Sequence, residues 1–347
     1  MWRDSRVRQL VYALGAAVAL TVGYLGWYWF HALTPEPETI VVKPGMSLKA
    51  FARELTRRGV LHEPQSFVLL ANLLGQGRAL KAGEYLFEPG ISARGILAQV
   101  VAGRVVRYPV VLVEGWTFRQ FLQALARAEK LTQTLAGRTP GQIMTELGFP
   151  DQHPEGRFFP DTYHFTTGDS DRMILARAYQ RMQERLELEW SARAPDVPVR
   201  TPYEALILAS IVEKETGKPE ERALIAGVFT NRLRRGMRLQ TDPTVIYGLG
   251  DRFDGNLRRR DLERDNPYNT YTRTGLPPTP IAMPGAAALR AALHPAETRA
   301  VYFVSRGDGS HVFSETLTEH NAAVIKYQLN GRSRAFSSNP APAGPAR

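Results

Sequence analysis

Between Arg8 and Glu36 the chain carries no charged side chain. The run LVYALGAAVALTVGYLGWYWFHAL exceeds the roughly 20 apolar residues that cross a hydrocarbon core, and no other feature restricts the fold as much. Arg3, Arg6 and Arg8 precede it and the next cation is Lys43, so the positive-inside asymmetry predicts a cytoplasmic N-terminus over residues 1–8. Residues 9–33 then form a single span, everything after it lies outside, and Tyr24, Trp27, Tyr28 and Trp29 form the outer aromatic belt. A cleaved signal peptide is the other reading; the length of the run and its end in bulky aromatics, with no small-x-small site, weigh against it.

The composition of 44 Lys and Arg against 34 Asp and Glu, a formal charge of +10, suits a polyanionic partner: nucleic acid, anionic lipid or an acidic polymer. A membrane span places that basic bulk where nucleic acid is not found, and no nucleic-acid motif is present, so no nucleic-acid partner is expected. The chain has no cysteine, which excludes a disulfide scaffold, a thiolate metal site and a Cys nucleophile. None of its histidines stands in a metal-ligand spacing such as HExxH, and neither a phosphate loop nor a dinucleotide fingerprint occurs. No metal and no cofactor are expected.

Beyond the span the pattern is α+β. TPEPET, residues 34–39, reads as a short linker. Residues 40–114 read as a small module: a strand in TIVVKP, a helix capped by Ser47, a helix from Pro64 to Leu74, a strand in GEYLFEPG, a helix capped by Ser92 and a strand in VRYPVVLVEG. Its strand-helix-helix-strand order, headed by VKPGMSLKAFARELTRRGVL, resembles a LysM-like sugar-binding module; a structural spacer is the alternative. Residues 115–150 read as a helical connector, with Thr117 and Thr139-Pro140 opening its helices. Residues 151–330 form a larger domain, and the Pro-, Ala- and Ser-rich tail 331–347 reads as disordered.

Within the larger domain, LILASIVEKET sets Glu213 and Glu215 one residue apart in an apolar stretch. Thr201-Pro202-Tyr203-Glu204 is a capping-box start that fixes the helical phase. With Glu204 at zero, the apolar side chains centre near 10°, Glu215 falls at about 20° and Glu213 at about 180°. Glu215 thus shares the apolar face, where loss of water raises a carboxyl's pKa toward that of a general acid. Glu213 is expected to be solvated or paired with an Arg. After this helix come a second helix, PEERALIAGVFTNRLRRG, a polar turn in RLQTDPTVIYGLG, and a long loop, NPYNTYTRTGLPPTPIAMPG, of the kind that carries binding groups. Tyr247 and Tyr271 are candidates for stacking on sugar faces. Gln240, Thr241, Asn269 and Tyr271 are candidates for acetamide and hydroxyl groups, with His294 and Asn321 behind them. Asp242 and Asp161 are candidates for meeting positive charge at a reacting ring, or plain turn formers. Arg232, Arg234, Arg235 and Arg238 are candidates for lining an anionic groove, or a solvated basic face.

EGRFFPDTYHF, LASIVEKET, GVFTNRLRRGMRLQTDPTVIYGLG, NPYNTYTRTGLPPTPIAMPGAAALRAALHPA and HVFSETLTEHN, in this order behind one N-terminal span, resemble the YceG/MltG family of endolytic murein transglycosylases. The resemblance implies a LysM-like module followed by a catalytic domain that cuts nascent peptidoglycan strands at the bacterial inner membrane, with the catalytic part periplasmic. It implies that the second Glu of E-K-E-T, here Glu215, is the catalytic acid. Peptidoglycan strands, membrane-bound synthases and inner-membrane lipid are the implied partners. The chain departs from the family pattern at Thr279 and Met283, which puts an amide contact at position 283 in doubt. A non-catalytic wall-binding scaffold for synthesis enzymes is the rival reading.

Overall fold

The computed structural model describes residues 2–33, 36–215 and 217–329; the predicted tail 331–347 lies outside them. Helix α1 (Trp2–Phe30) contains an apolar stretch, Arg6–Phe30, of 25 residues, long and apolar enough to cross a membrane.

The chain divides into two compact units. The smaller holds the residues up to Pro109 together with Lys130–Thr132 and His164–Asp169. After α1 it runs β1 (Glu38–Val42), α2 (Leu48–Arg57), α3 (Pro64–Leu73), β2 (Gly83–Phe87) and α4 (Ala93–Ala102). β1 and β2 pair antiparallel, Ile40 opposite Tyr85, so alternate side chains of both strands face one core. Ser47 and Ser92 cap α2 and α4 by accepting from the Ala50 and Gly95 N–H groups, as the sequence predicts. Phe51, Leu55, Phe67, Tyr85, Phe87 and Ile96 close the core. Tyr28, Trp29 and Leu33 join that same core, and this corrects the expectation that all four aromatics at the end of α1 face lipid headgroups. Tyr24 and Trp27 stay exposed, while Tyr28 donates its hydroxyl to the Glu63 carbonyl at 2.7 Å and Trp29 packs against Phe67.

The boundary of this unit falls inside β3 (Tyr108–Leu112), before the expected end at residue 114. Val110–Glu129, Gln133–Tyr163 and the residues from Ser170 on form the larger unit, so most of the expected connector belongs to it. Its helices are α5 (Phe118–Ala126), α6 (Pro140–Glu146), α7 (Asp171–Ser191), α8 (Pro202–Glu215), α9 (Arg222–Arg234), α10 (Asp242–Leu249), α11 (Arg259–Glu263), α12 (Ala286–Leu293) and α13 (Leu317–Tyr327). Strand β4 (Asp161–Phe165) begins in it, and β5 (Tyr302–Ser305) and β6 (His311–Ser314) form an antiparallel hairpin. Helix α8 is central, packed by α7, α9 and α12, and every side chain from Ala205 to Val212 is buried. An α-helix buried on all sides has no solvent face to set its phase. The predicted polar turn after α9 is instead helix α10, because Thr-Asp-Pro supplies a cap position, an acid in the first turn and a proline where no N–H is needed.

Candidate active site

Glu215 is the last residue of α8, half-buried, with its carboxyl turned away from water. Its Oε1 accepts the hydroxyl proton of Thr241. Thr241 is the N-cap of α10, yet its hydroxyl makes no capping bond. A cap bond contributes about 1 kcal/mol, so diverting this hydroxyl to the carboxylate is a local cost borne by the helix. Gln240, immediately before it, has φ of 49°, and among the described residues it is the only non-glycine in the left-handed region. That turn is held from behind. The Gln240 N–H donates to the Thr270 carbonyl at 3.1 Å, the Thr241 N–H donates to Thr270 Oγ1 at 3.0 Å, and Thr244 Oγ1 lies 2.9 Å from Thr270 Oγ1.

Burial raises the Glu215 carboxyl from the ordinary 4.5 to about 7; the Thr241 hydroxyl opposes this, and the charge of Asp242 reinforces it. Asp242 is exposed, and its Oδ1 accepts the Tyr271 hydroxyl at 2.6 Å. Arg232 is only 7 % exposed. Its Nε donates to the Val301 carbonyl at 2.6 Å and its Nη1 to the Leu239 carbonyl at 2.7 Å, so it clamps the chain ahead of the Gln240 turn.

A family model described as the YceG-like family matches residues 40–326. The chain belongs to the YceG-like family. An endolytic murein transglycosylase of Bacillus subtilis is 33 % identical over 305 residues, covering 83 % of this chain and 84 % of the relative. One of the same name from Streptococcus pneumoniae is 25 % identical over 88 % of this chain, which spans 62 % of that longer relative. A crystal structure of a YceG-like protein from Listeria monocytogenes superposes with a TM-score of 0.52 at 30 % identity, covering 83 % of this chain and 98 % of that one.

In this YceG-like chain the candidates from sequence separate into distinct places. Glu215, Thr241, Asp242 and Tyr271 form one connected set, with Gln240 beside it and exposed. Asn269 is fully buried and builds the loop, correcting the expectation of a sugar contact. Its Nδ2 donates to the carbonyls of Leu262 at 2.9 Å and Arg264 at 2.7 Å, and its Oδ1 accepts the Tyr271 N–H at 2.9 Å. Tyr247 is half-buried, its ring edge-on to Tyr268 and its hydroxyl donating to Glu155 Oε2 at 3.0 Å, so stacking on a sugar face is not its arrangement here. Asp161 sits at the start of β4 with its carboxylate 2.5 Å from Arg181, and the carboxylate that acts on Glu215 is Asp242. Arg232 is a buried clamp and lines no groove, while Arg234, Arg235 and Arg238 are exposed.

Glu213 is neither solvated nor paired with an arginine. Its Oε2 accepts the Gly285 N–H at 2.9 Å, at the N-cap of α12, and burial raises its carboxyl too. The departures at Thr279 and Met283 fall on buried positions: the Met283 backbone pairs with Gly115 and Trp116, and Thr279 Oγ1 lies 3.0 Å from the Tyr268 hydroxyl. Two groups escaped the sequence reading. Thr270 carries the turn under Glu215, and its only signal was a threonine inside a tyrosine- and asparagine-rich loop. Glu155 is 4 % exposed and accepts the Phe118 N–H at 2.9 Å as well as the Tyr247 hydroxyl, and burial raises its carboxyl to about 7. A glutamate set against the apolar FF of EGRFF was its only mark in the sequence.

Proposed function

We propose that the chain is a membrane-anchored endolytic peptidoglycan lytic transglycosylase, cutting the bond from N-acetylmuramic acid to N-acetylglucosamine within nascent glycan strands. The observation that carries this reading is one carboxyl, Glu215, poised to be protonated near neutral pH, whose bonded neighbour is the hydroxyl of Thr241. A hydrolytic glycosidase ordinarily uses two carboxylates, one as acid and one as base or nucleophile. Here Asp242 is held by Tyr271, which suits it to electrostatic support of positive charge on the sugar ring.

Neutral Glu215 gives its proton to the glycosidic oxygen as the bond from muramic C1 to that oxygen breaks, releasing the N-acetylglucosamine hydroxyl. The resulting carboxylate takes the proton from the muramic C6 hydroxyl as O6 closes on C1. Glu215 is restored, no water is consumed, and the strand ends in 1,6-anhydro-N-acetylmuramic acid. Membrane-bound synthases are the source of such strands, and the reaction fits strand termination during wall elongation.

Helix α1 is read as a retained anchor with a cytoplasmic N-terminus. Burial of Tyr28, Trp29 and Leu33 in the core of the small unit supports retention of the end of α1, since cleavage downstream of them, where the apolar run ends, would strip that core. The strand-helix-helix-strand order of that unit supports LysM-like contact with glycan. A cavity of 520 Å³ between the β1–α2 and α3–β2 connections, lined by Lys43, Ser47, Asn72 and Arg78 among others, supports the same reading by offering polar groups to a sugar.

Digestion of nascent strands by wild type and by Glu215→Gln, read by mass spectrometry for anhydro ends, tests the assignment. Wild type is expected to yield anhydro ends and the variant to yield none; equal yields refute the role of Glu215. Absence of anhydro ends from both favours the wall-binding scaffold.

A further inference from the structure

Among the described residues of the small unit outside α1, Leu69, Leu73 and Leu74 are the most exposed large apolar side chains, at 49 %, 72 % and 56 %. Leu69 and Leu73 lie one turn apart on α3, about 200° round the helix from the buried Phe67 and Ala71. Neither belongs to the unit's core, Leu74 follows at the C-cap about 100° round from Leu73, and together they leave exposed apolar surface on the second half of α3 that calls for a cover.

The depth of that patch is set by α1. From Arg8, the last cation before the span, about 20 residues at 1.5 Å each cross a hydrocarbon layer of about 30 Å, which brings its outer boundary to Tyr28 and Trp29. At this level α3 is fastened to α1. The Tyr28 hydroxyl donates to the carbonyl of Glu63, the residue before α3, at 2.7 Å, and the Trp29 and Phe67 rings stand 6.4 Å apart. Leu74 lines one cavity with Trp29, Phe30 and Arg94. The chain leaving α1 is pinned as well, the Leu33 N–H donating to the Ile91 carbonyl at 2.8 Å and the Gly90 N–H to the Leu33 carbonyl at 2.6 Å. The unit therefore cannot swing away from the end of α1 on a free linker. The Arg94 guanidinium, 5.3 Å over the Phe30 ring, is placed one step beyond the boundary, where lipid phosphates lie.

We propose that Leu69, Leu73 and Leu74 insert into the outer interfacial layer of the membrane that α1 crosses, with Arg94 meeting lipid phosphate, so that the small unit lies on the bilayer. This rests on the reading of α1 as a retained span. The occupant is lipid because these leucines are carried in the same compact unit as α1, at the depth where that helix leaves hydrocarbon, and amphipathic surfaces at that depth partition into the interface.

The chain lacks cysteine, so single-cysteine labelling is clean. Full-length protein with Leu73→Cys, Leu74→Cys, Leu20→Cys or Arg53→Cys, each carrying an environment-sensitive fluorophore, is reconstituted one copy per nanodisc of phosphatidylethanolamine and phosphatidylglycerol. Nitroxide lipids are then added, quenching either near the headgroup or at mid-chain. Leu20 is in the middle of α1, and Arg53 is on the exposed side of α2. The expected result is mid-chain quenching at Leu20, headgroup-level quenching with blue-shifted emission at Leu73 and Leu74, and neither at Arg53. Quenching at Leu20 with Leu73 and Leu74 behaving like Arg53 overturns the proposal and leaves the span standing. No quenching at Leu20 overturns both. A blue shift at Leu73 without lipid quenching identifies a protein cover and likewise overturns it.

Discussion

Replacing Thr241 with valine removes the hydroxyl that donates to Glu215 while keeping the side chain's shape. That bond favours the ionised carboxylate and opposes the burial that raises Glu215 to about 7. A hydrogen bond to a charged group contributes about 1.5–3 kcal/mol, and one pKa unit corresponds to 1.36 kcal/mol, so its loss raises Glu215 by roughly one to two units. A general acid acts in its protonated form, and activity falls as pH rises through the folded pKa. The alkaline limb of kcat/KM, expected near pH 7 in the wild type, therefore moves up by roughly one to two units in Thr241→Val. The assay is release of anhydro ends from a defined glycan strand across pH 5 to 10. A limb that stays in place, or moves down, refutes the reasoning. A uniform loss of rate without a shift assigns Thr241 to positioning alone.

Asp242→Asn removes the negative charge that reinforces the raised state of Glu215, so the same limb moves down, by up to about one unit, in the pH profile of the variant. Asn269→Ala leaves at least two carbonyls under the loop without a donor, which destabilises the larger unit by about 3 kcal/mol, measurable by denaturant unfolding. For Glu155, whose folded pKa of about 7 exceeds the ordinary 4.5, the folded state holds the proton more tightly. Stability is then greatest below pH 4.5 and falls as pH rises toward 7, by at most about 3 kcal/mol. Glu155→Gln removes that dependence, and calorimetry is expected to show a higher Tm than wild type at pH 8 and little difference at pH 4.

Local chemistry was well marked in the chain. Ser47, Ser92, Thr117 and Thr139 each cap the helix predicted from them, because a cap involves residues three apart. The α10 start is present in the same form, as Thr241-Asp242-Pro243, but the same polar residues also suit a turn, so the local sequence does not choose between the two. Helical phase alone puts Glu215 on an apolar stripe and Glu213 opposite it, but α8 is buried on every side from Ala205 to Val212 and both glutamates lose water. Partners, not phase, distinguish them: a backbone N–H at the head of α12 for Glu213, and a side-chain hydroxyl at the head of α10 for Glu215.

By itself the sequence determined one apolar span, an α+β chain behind it, the absence of thiol chemistry, and a short helix carrying two carboxyls in apolar company. These follow from composition and from interactions over a few residues. Tertiary structure alone decided which polar atoms meet. Thr241 reaches Glu215 across a separation of 26 residues, Tyr247 reaches Glu155 across 92, and Tyr28 leaves the expected aromatic belt for the carbonyl of Glu63, 35 residues on. A hydrogen bond forms only when both chains are brought to within about 3 Å, and that is fixed by how α8, α10 and the loop around Thr270 pack. The pKa of Glu215 belongs to that packing, because burial and the nearby hydroxyl and charges, more than the residue's own identity, set whether it holds a proton at neutral pH.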